Sequence, residues 1–204
     1  MAKQRGRPEL DKGREPRHLV VRYSDAPYGV NTVQEHLKVI ADKGAVWLAK
    51  FGKSLSAVKI AILNHQIEAR VPTFLYLVTR RGGDYQWHKC RLLKVAREVP
   101  GFEKRLVPRY YQKQGIATSA SSATLWLKLS DLHSARPNDL GNLCVVSSGR
   151  HISEALYGSM AGMFFVQEGA PVRRKDHAEN IEDDVDHFED GVLNAFEEED
   201  DVTP

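Results

Sequence analysis

Three short stretches of the chain place aromatic side chains next to basic ones, a combination that can bind a nucleotide. The stretches are KGAVWLAKFGK, PRYYQK and TLWLKL. An aromatic face can stack on a base, and a neighbouring Lys or Arg can contact the flanking phosphates. The candidates for nucleic-acid contact are therefore Trp47, Lys50, Phe51, Lys53, Arg109, Tyr110, Tyr111 and Trp126.

The same aromatic side chains could instead belong to a core. Trp47 and Phe51 are four residues apart, so they share one face of a strand. Trp126 and Lys128 share one strand face, and the three leucines of TLWLKL share the other. Since those leucines already supply a core face, Trp126 either covers a second small core or lines a pocket. Trp47 is open to the same two roles.

A small polar loop, SSGR, precedes a predicted helix near the end of the domain. Its members Ser147, Ser148 and Arg150 could hold a phosphate or a base edge, together with backbone N–H groups at the helix start. The alternative is that these residues simply cap the helix.

The N-terminal segment KQRGRP resembles the core of an AT-hook. In such a hook two arginines, here Arg5 and Arg7, enter the narrow minor groove of A·T-rich DNA, and the glycine permits close approach. The segment departs from the pattern because Glu9 and Leu10 follow, where hooks usually continue with basic residues. The arm favours duplex DNA over RNA as the ligand.

No catalytic or metal-binding motif stands out in the sequence. None of the eight histidines forms HExxH, and Cys90 and Cys144 lie far apart without a CxxC partner. GxSxG, P-loop and GxGxxG patterns are missing too. We therefore expect a protein that is not an enzyme and needs no metal or cofactor. The two cysteines favour a reducing, cytoplasmic setting, where association with the nucleoid is conceivable, and no apolar run approaches the ~20 residues of a membrane span.

Charge is distributed unevenly along the chain. All 29 Lys and Arg lie in residues 1–175 against 14 Asp and Glu, an excess of 15 positive charges, and the other 13 acidic residues lie in 176–204. A body this basic is typical of polyanion binders, because Lys and Arg displace counterions from phosphates. The acidic segment is expected to be a disordered tail, which could compete with nucleic acid, recruit a partner or only keep the protein soluble.

The pattern of apolar residues and turns predicts an α+β domain. We expect a basic disordered arm over 1–17, a folded domain over 18–170 and the tail over 171–204. Strands are expected at 18–23, 45–51, 73–80, 85–99, from 124 onward, 142–147 and 161–168. A helix is expected over 32–44, with Asn31 or Thr32 as N-cap, a Thr32–Glu35 capping box and Gly44 at its end. The segment 54–69 is ambiguous, with a helical first half favoured. A curved mixed sheet or small barrel, flanked by short helices, fits this count.

Four segments, in order, resemble the PUA-like superfamily and in particular its EVE and YTH-like domains. They are TVQEHLKVIADKGAVWLAKFGK, FLYLVTRRGGDYQWHKCRLLKVARE, VPRYYQKQGIATSASSATLWLKLSDL and SSGRHISEALYGSMAGMFFV. The resemblance extends over residues 18–168 and rests on the order of the segments, since each motif alone is weak.

The resemblance implies a non-enzymatic reader that holds a flipped, modified base, more readily of DNA than of RNA, in an aromatic pocket. A partner such as a nuclease would then act on the bound nucleic acid, in prokaryotic or phage defence or counter-defence. Three other hypotheses stay open. One is a basic nucleic-acid binder that ignores modification, and another is an adaptor acting through its acidic tail. The third is an enzyme with His65, His88 or His151 in its cavity.

Overall fold

Residues 15–25, 29–113, 123–158 and 162–169 are described by a computed structural model. Their strands are β1 Arg17–Arg22, β2 Val46–Lys50, β3 Phe74–Arg81, β4 Asp84–Ala96, β5 Leu125–Ser134, β6 Leu143–Val145 and β7 Met163–Glu168. The helices are α1 Thr32–Lys43, α2 Ala57–Glu68, α3 Arg109–Lys113, α4 Pro137–Leu140 and α5 Ile152–Gly158, and a 3₁₀ helix spans Gly101–Leu106. Residues 1–14 of the expected N-terminal arm, with Arg5 and Arg7, lie outside the described residues, as does the acidic tail, while Arg17 at the end of the expected arm is the first residue of β1.

The seven strands form one mixed, open sheet in the order β2-β5-β4-β3-β1-β7-β6. Only β1 and β3 pair in parallel, and every other neighbouring pair is antiparallel. The α+β prediction with a mixed sheet is confirmed. The alternative of a closed barrel is not confirmed, because β2 and β6 are the two edge strands of the sheet.

Helix α1 begins and ends where local chemistry directs it. The Asn31 side chain accepts a hydrogen bond from the Gln34 N–H, which makes Asn31 the N-cap. Thr32 is therefore the first helical residue, and the expected Thr32–Glu35 capping box does not form. Gly44 ends the helix at φ 77°, a left-handed conformation that suits glycine.

The main core lies between α1, α2 and one face of the sheet. Val33, Leu37 and Ile40 of α1 pack in it together with Leu125, Leu127 and Leu129 of β5. Helix α2 runs helical throughout, not only in the favoured first half, and it contributes the fully buried Leu63. Burial of this apolar face drives the two helices onto the sheet.

The sheet is strongly curved where β4 meets β5. The pairing register shifts twice, between Lys89 and Arg91 and again between Leu92 and Lys94, and such irregularities bend a strand. Curvature brings the end of β2 close to the segment before β7, although four strands separate them in the sheet. The Lys50 Nζ lies 3.6 Å from the point where a Cβ on Gly162 would stand.

Candidate nucleic-acid interface

A second apolar cluster lies on the sheet face turned away from the main core. Its large side chains are Trp47 on β2, Trp126 on β5, and Tyr110 and Tyr111 on α3, and we call these four the aromatic cluster. The register pairs Trp47 with Lys128 and Ala49 with Trp126, so one face of the two strands carries both tryptophans. The predicted division of β5 into a leucine face and a Trp126 face is confirmed.

Both tryptophans are buried. Trp47 is 0 % exposed and Trp126 is 6 % exposed, because the segment 101–111 packs over them. Tyr111 lies edge-on to Trp126 at 6.0 Å between ring centroids, and its hydroxyl accepts a hydrogen bond from the Ala49 N–H at 3.3 Å. The expectation of an open pocket walled by Trp47 and Trp126 is therefore corrected. Trp47 and Trp126 therefore both belong to a second small core, which is one of the two roles that the sequence left open.

Glu103 fastens the covering segment to the sheet. One carboxylate oxygen accepts a hydrogen bond from the Trp47 Nε1 at 2.8 Å, and the other accepts one from the Lys128 Nζ at 2.8 Å. Desolvation raises the pKa of Glu103, but the hydrogen bonds from Lys128 and Trp47 outweigh it and lower the pKa on balance. The carboxylate is thus charged at neutral pH and holds the 3₁₀ helix in place.

His36 of α1 closes the cluster from the other side. Its ring lies 5.9 Å from Tyr111 and 6.2 Å from Tyr110, and its Nδ1 is 2.6 Å from the Thr32 carbonyl oxygen. Burial lowers the pKa of His36 to about 4. The ring is therefore neutral at pH 7, with Nδ1 protonated and donating to Thr32.

The outer side of the covering segment is basic and carries one exposed aromatic ring. Phe102 is 80 % exposed, although Glu103 beside it is anchored to the sheet. Lys104, Arg105 and the predicted candidate Arg109 are exposed on the same segment. Sequence reasoning missed Phe102, Lys104 and Arg105. The signal was the stretch GFEKRL, which sets an aromatic beside basic residues as PRYYQK does.

The lysines of KGAVWLAKFGK have separate surroundings. Lys50 is half-buried, its Nζ donates to the Phe51 carbonyl at 2.5 Å, and burial lowers its pKa. Lys50, which was expected to contact a phosphate, is thus hydrogen-bonded to the neighbouring main chain. Lys53 is exposed, and Phe51 packs against the aromatic cluster on the same side as Trp47.

The loop SSGR follows β6, at the opposite edge of the sheet order from β2. Ser147, Ser148 and Arg150 are exposed. The turn is closed by its own groups, since the Gly149 N–H donates to the Val145 carbonyl at 2.8 Å and the Arg150 N–H to the Ser148 hydroxyl at 3.3 Å. These contacts close a turn and do not cap α5, whose first N–H groups donate to His151. A phosphate contact of the loop stays a prediction.

The described part of the chain contains no group of three or more His, Cys, Asp or Glu side chains that could hold a metal ion. None of its helices has the length and apolar character needed to span a bilayer. Cys90 and Cys144 are buried free thiols.

Comparison with known proteins gives one match. The family model described as Pua-like matches residues 19–155, about two thirds of the chain. Searches of curated proteins and of solved structures each found no match. The mixed open sheet with short helices is consistent with the family's fold. On this match the chain belongs to the PUA-like family, whose domains generally bind nucleic acids.

Proposed function

We propose that this protein is a nucleic-acid-binding reader that recognises a flipped, modified base. One observation carries the proposal: an exposed Phe102 stands in a basic segment that is fastened by Glu103 onto a buried aromatic cluster.

Phe102 is the stacking group. A base taken out of a strand loses its neighbours, and stacking on an aromatic side chain returns ~1–3 kcal/mol. A methyl group on the base adds apolar surface that leaves water on contact with the ring, which is worth ~25 cal/mol per Å². This difference is the physical basis on which the surface would prefer a methylated base to an unmodified one.

Lys104, Arg105 and Arg109 are the phosphate contacts. All three are exposed on the segment that carries Phe102, so a strand whose base stacks on the ring would place its backbone near them. Phosphate contacts position the strand and make binding depend on salt. We assign the phosphate contacts to these three residues and not to Lys50, because the Lys50 ammonium group donates to the Phe51 carbonyl.

The buried cluster acts as a support. Because Glu103 is bound to both Trp47 and Lys128, the neighbouring Phe102 is presented on a segment that is ordered before the ligand arrives. Ordering a segment on binding costs affinity, and a segment already in place avoids that cost.

DNA is the proposed strand, because KQRGRP has the Arg5 and Arg7 of a minor-groove arm. A reader without catalytic groups acts by recruiting or blocking another protein. We therefore propose an effector such as a nuclease as the partner, in prokaryotic or phage defence or counter-defence.

The test is a binding titration at physiological salt. DNA and RNA oligonucleotides are compared unmodified and with 5-methylcytosine, 5-hydroxymethylcytosine or N6-methyladenine. We expect one modification to bind best, and Phe102→Ala to weaken that complex about tenfold, as loss of one stacked base implies. Val58 on α2, which is the other exposed large apolar side chain among the described residues at 67 %, provides the matched control Val58→Ala, which should leave binding unchanged.

Two outcomes would overturn parts of the proposal. Equal affinity for all strands, falling steeply with salt, would leave a basic binder that ignores modification. Equal effects of Phe102→Ala and Val58→Ala would remove Phe102 from the binding surface, even if a modification preference remained.

A further inference from the structure

A polar cleft of about 190 Å³ lies where the end of β1, the first turn of α1 and the β3–β4 hairpin meet. We propose that this cleft binds a single nucleobase of a nucleotide, a second contact that rests on the proposed nucleic-acid-binding function and lies apart from Phe102. Its lining consists of Tyr23, Asp25, Asn31, Val33, Gln34, Arg81, Gln86 and His88.

One wall of the cleft is held in place by hydrogen bonds of its own. The Asp25 carboxylate accepts from the Thr32 N–H at 2.9 Å, and the Asn31 side chain accepts from the Gln34 N–H at 3.0 Å. The Tyr23 N–H donates to the Val78 carbonyl at 3.0 Å, which extends the β1–β3 pairing into the cleft. The wall is therefore formed before any ligand binds, which lowers the cost of binding.

The chemistry of the lining suits an uncharged ring with donors and acceptors on its edge. Gln34 and Gln86 supply amides, which can donate and accept at once and pair with base edges, and Asn31 adds its Nδ2 as a donor while its oxygen caps α1. Burial, and then Asp25, raises the pKa of Tyr23 to about 12, so its hydroxyl keeps its proton.

His88 adds a buried ring nitrogen, Nδ1, to the lining of the cleft. Its Nδ1 is shielded from solvent and has no hydrogen-bond partner among the described residues, an unusual state for a buried polar atom. Burial lowers the pKa of His88, while Asp25 raises it and His133 lowers it further. The neutral ring can both donate and accept, as a base edge requires.

Size and charge restrict the ligand to one base with its phosphate. Pockets for drug-sized ligands usually measure ~300–1,000 Å³, so a cleft of about 190 Å³ fits one ring system. Arg81 is exposed at the hairpin end of the cleft and is the group available to a phosphate. Helix α1 connects the two contacts, because Val33 lines the cleft while His36 packs on Tyr110 and Tyr111.

The first experiment titrates the full chain calorimetrically with each ribo- and deoxyribonucleoside 5′-monophosphate and with ribose 5-phosphate. We expect at least one mononucleotide to bind and ribose 5-phosphate not to bind. Gln34→Ala and Gln86→Ala should each weaken the mononucleotide complex about tenfold, the loss of a paired amide. Gln167→Ala, an amide on β7 near the other end of β1, is the matched control and should have no effect.

The proposal is overturned if no mononucleotide binds, if ribose 5-phosphate binds equally well, or if the two cleft variants behave like Gln167→Ala. Repeating the titration with oligonucleotides separates a base within a strand from a free nucleotide. Strand binding that depends on Phe102 but not on Gln86 would leave the proposed function standing and reject the cleft. Mononucleotide binding without strand binding would keep the cleft and reject the reader.

Discussion

The two kinds of aromatic residue in this interface differ in what covers them. Trp47 is fully buried and bonded through its Nε1 to Glu103, whereas Phe102, next to that same glutamate, is 80 % exposed. Local sequence cannot distinguish these cases, because both rings stand near basic residues. Exposure is determined by the packing of residues far apart in the chain, such as Glu103 onto Trp47 across 56 positions.

At the residue scale, His36 makes stability depend on pH. Burial lowers its pKa to about 4, and burial, followed by the Lys89 charge, lowers that of His18 to about 4. The unfolded chain, with pKa values near 6.5, therefore binds more protons between pH 6.5 and 4. Stability is full above that range and is lost as the pH falls through it, by at most ~1.4 kcal/mol per pH unit for each histidine.

His36→Phe should flatten that decline. The measurement is the free energy of unfolding in urea at several pH values from 7 to 4. Its matched control is His133→Gln, since His133 is exposed. An unchanged slope in His36→Phe would contradict the assignment of a neutral, buried His36.

At the element scale, short-range chemistry predicted more than long-range packing. The ends of α1 follow from Asn31 and Gly44, and the expected strands 73–80 and 85–99 correspond to β3 and β4, which Gly82 and Gly83 join at positive φ. The 3₁₀ helix at Gly101–Leu106 was not predicted, because GFEKRL has neither helical nor strand periodicity. It is held by contacts to β2 and β5, and those contacts also decide the burial of the candidate site.

Gly44→Ala should destabilise the protein by about 1 kcal/mol. The glycine has φ +77° and no atom within 4 Å of an added Cβ, so the cost comes from backbone strain alone. Gly101→Ala is the matched control, because that position also has open space and lacks a positive φ. Thermal unfolding of both variants checks this, and equal losses would show that strain at Gly44 is not the cause.

At the scale of the whole molecule, charge separation along the chain should set the affinity for nucleic acid. Residues 1–175 carry an excess of 15 positive charges, and residues 176–204 carry 13 acidic side chains without Lys or Arg. We predict that the tethered acidic segment competes with a strand for these cations and that salt screens the competition.

Removing residues 176–204 should therefore tighten oligonucleotide binding, with a larger gain at low salt than at physiological salt. Fluorescence anisotropy over a salt series measures this. A full-length variant with the tail's Asp and Glu changed to Asn and Gln separates charge from chain length, and it should behave like the truncated protein. Unchanged affinity at low salt would show that the tail does not compete.

The carboxylate of Glu103 has an optical consequence. It lies 2.8 Å from the Trp47 indole nitrogen, on the segment that bears Phe102. Indole emission responds to the charge and polarity beside the ring, so any movement of that segment would change the colour or the yield of the Trp47 fluorescence. With Trp87 and Trp126 replaced by phenylalanine, Trp47 would report whether the outer surface shifts when a ligand arrives, and no dye would need to be attached.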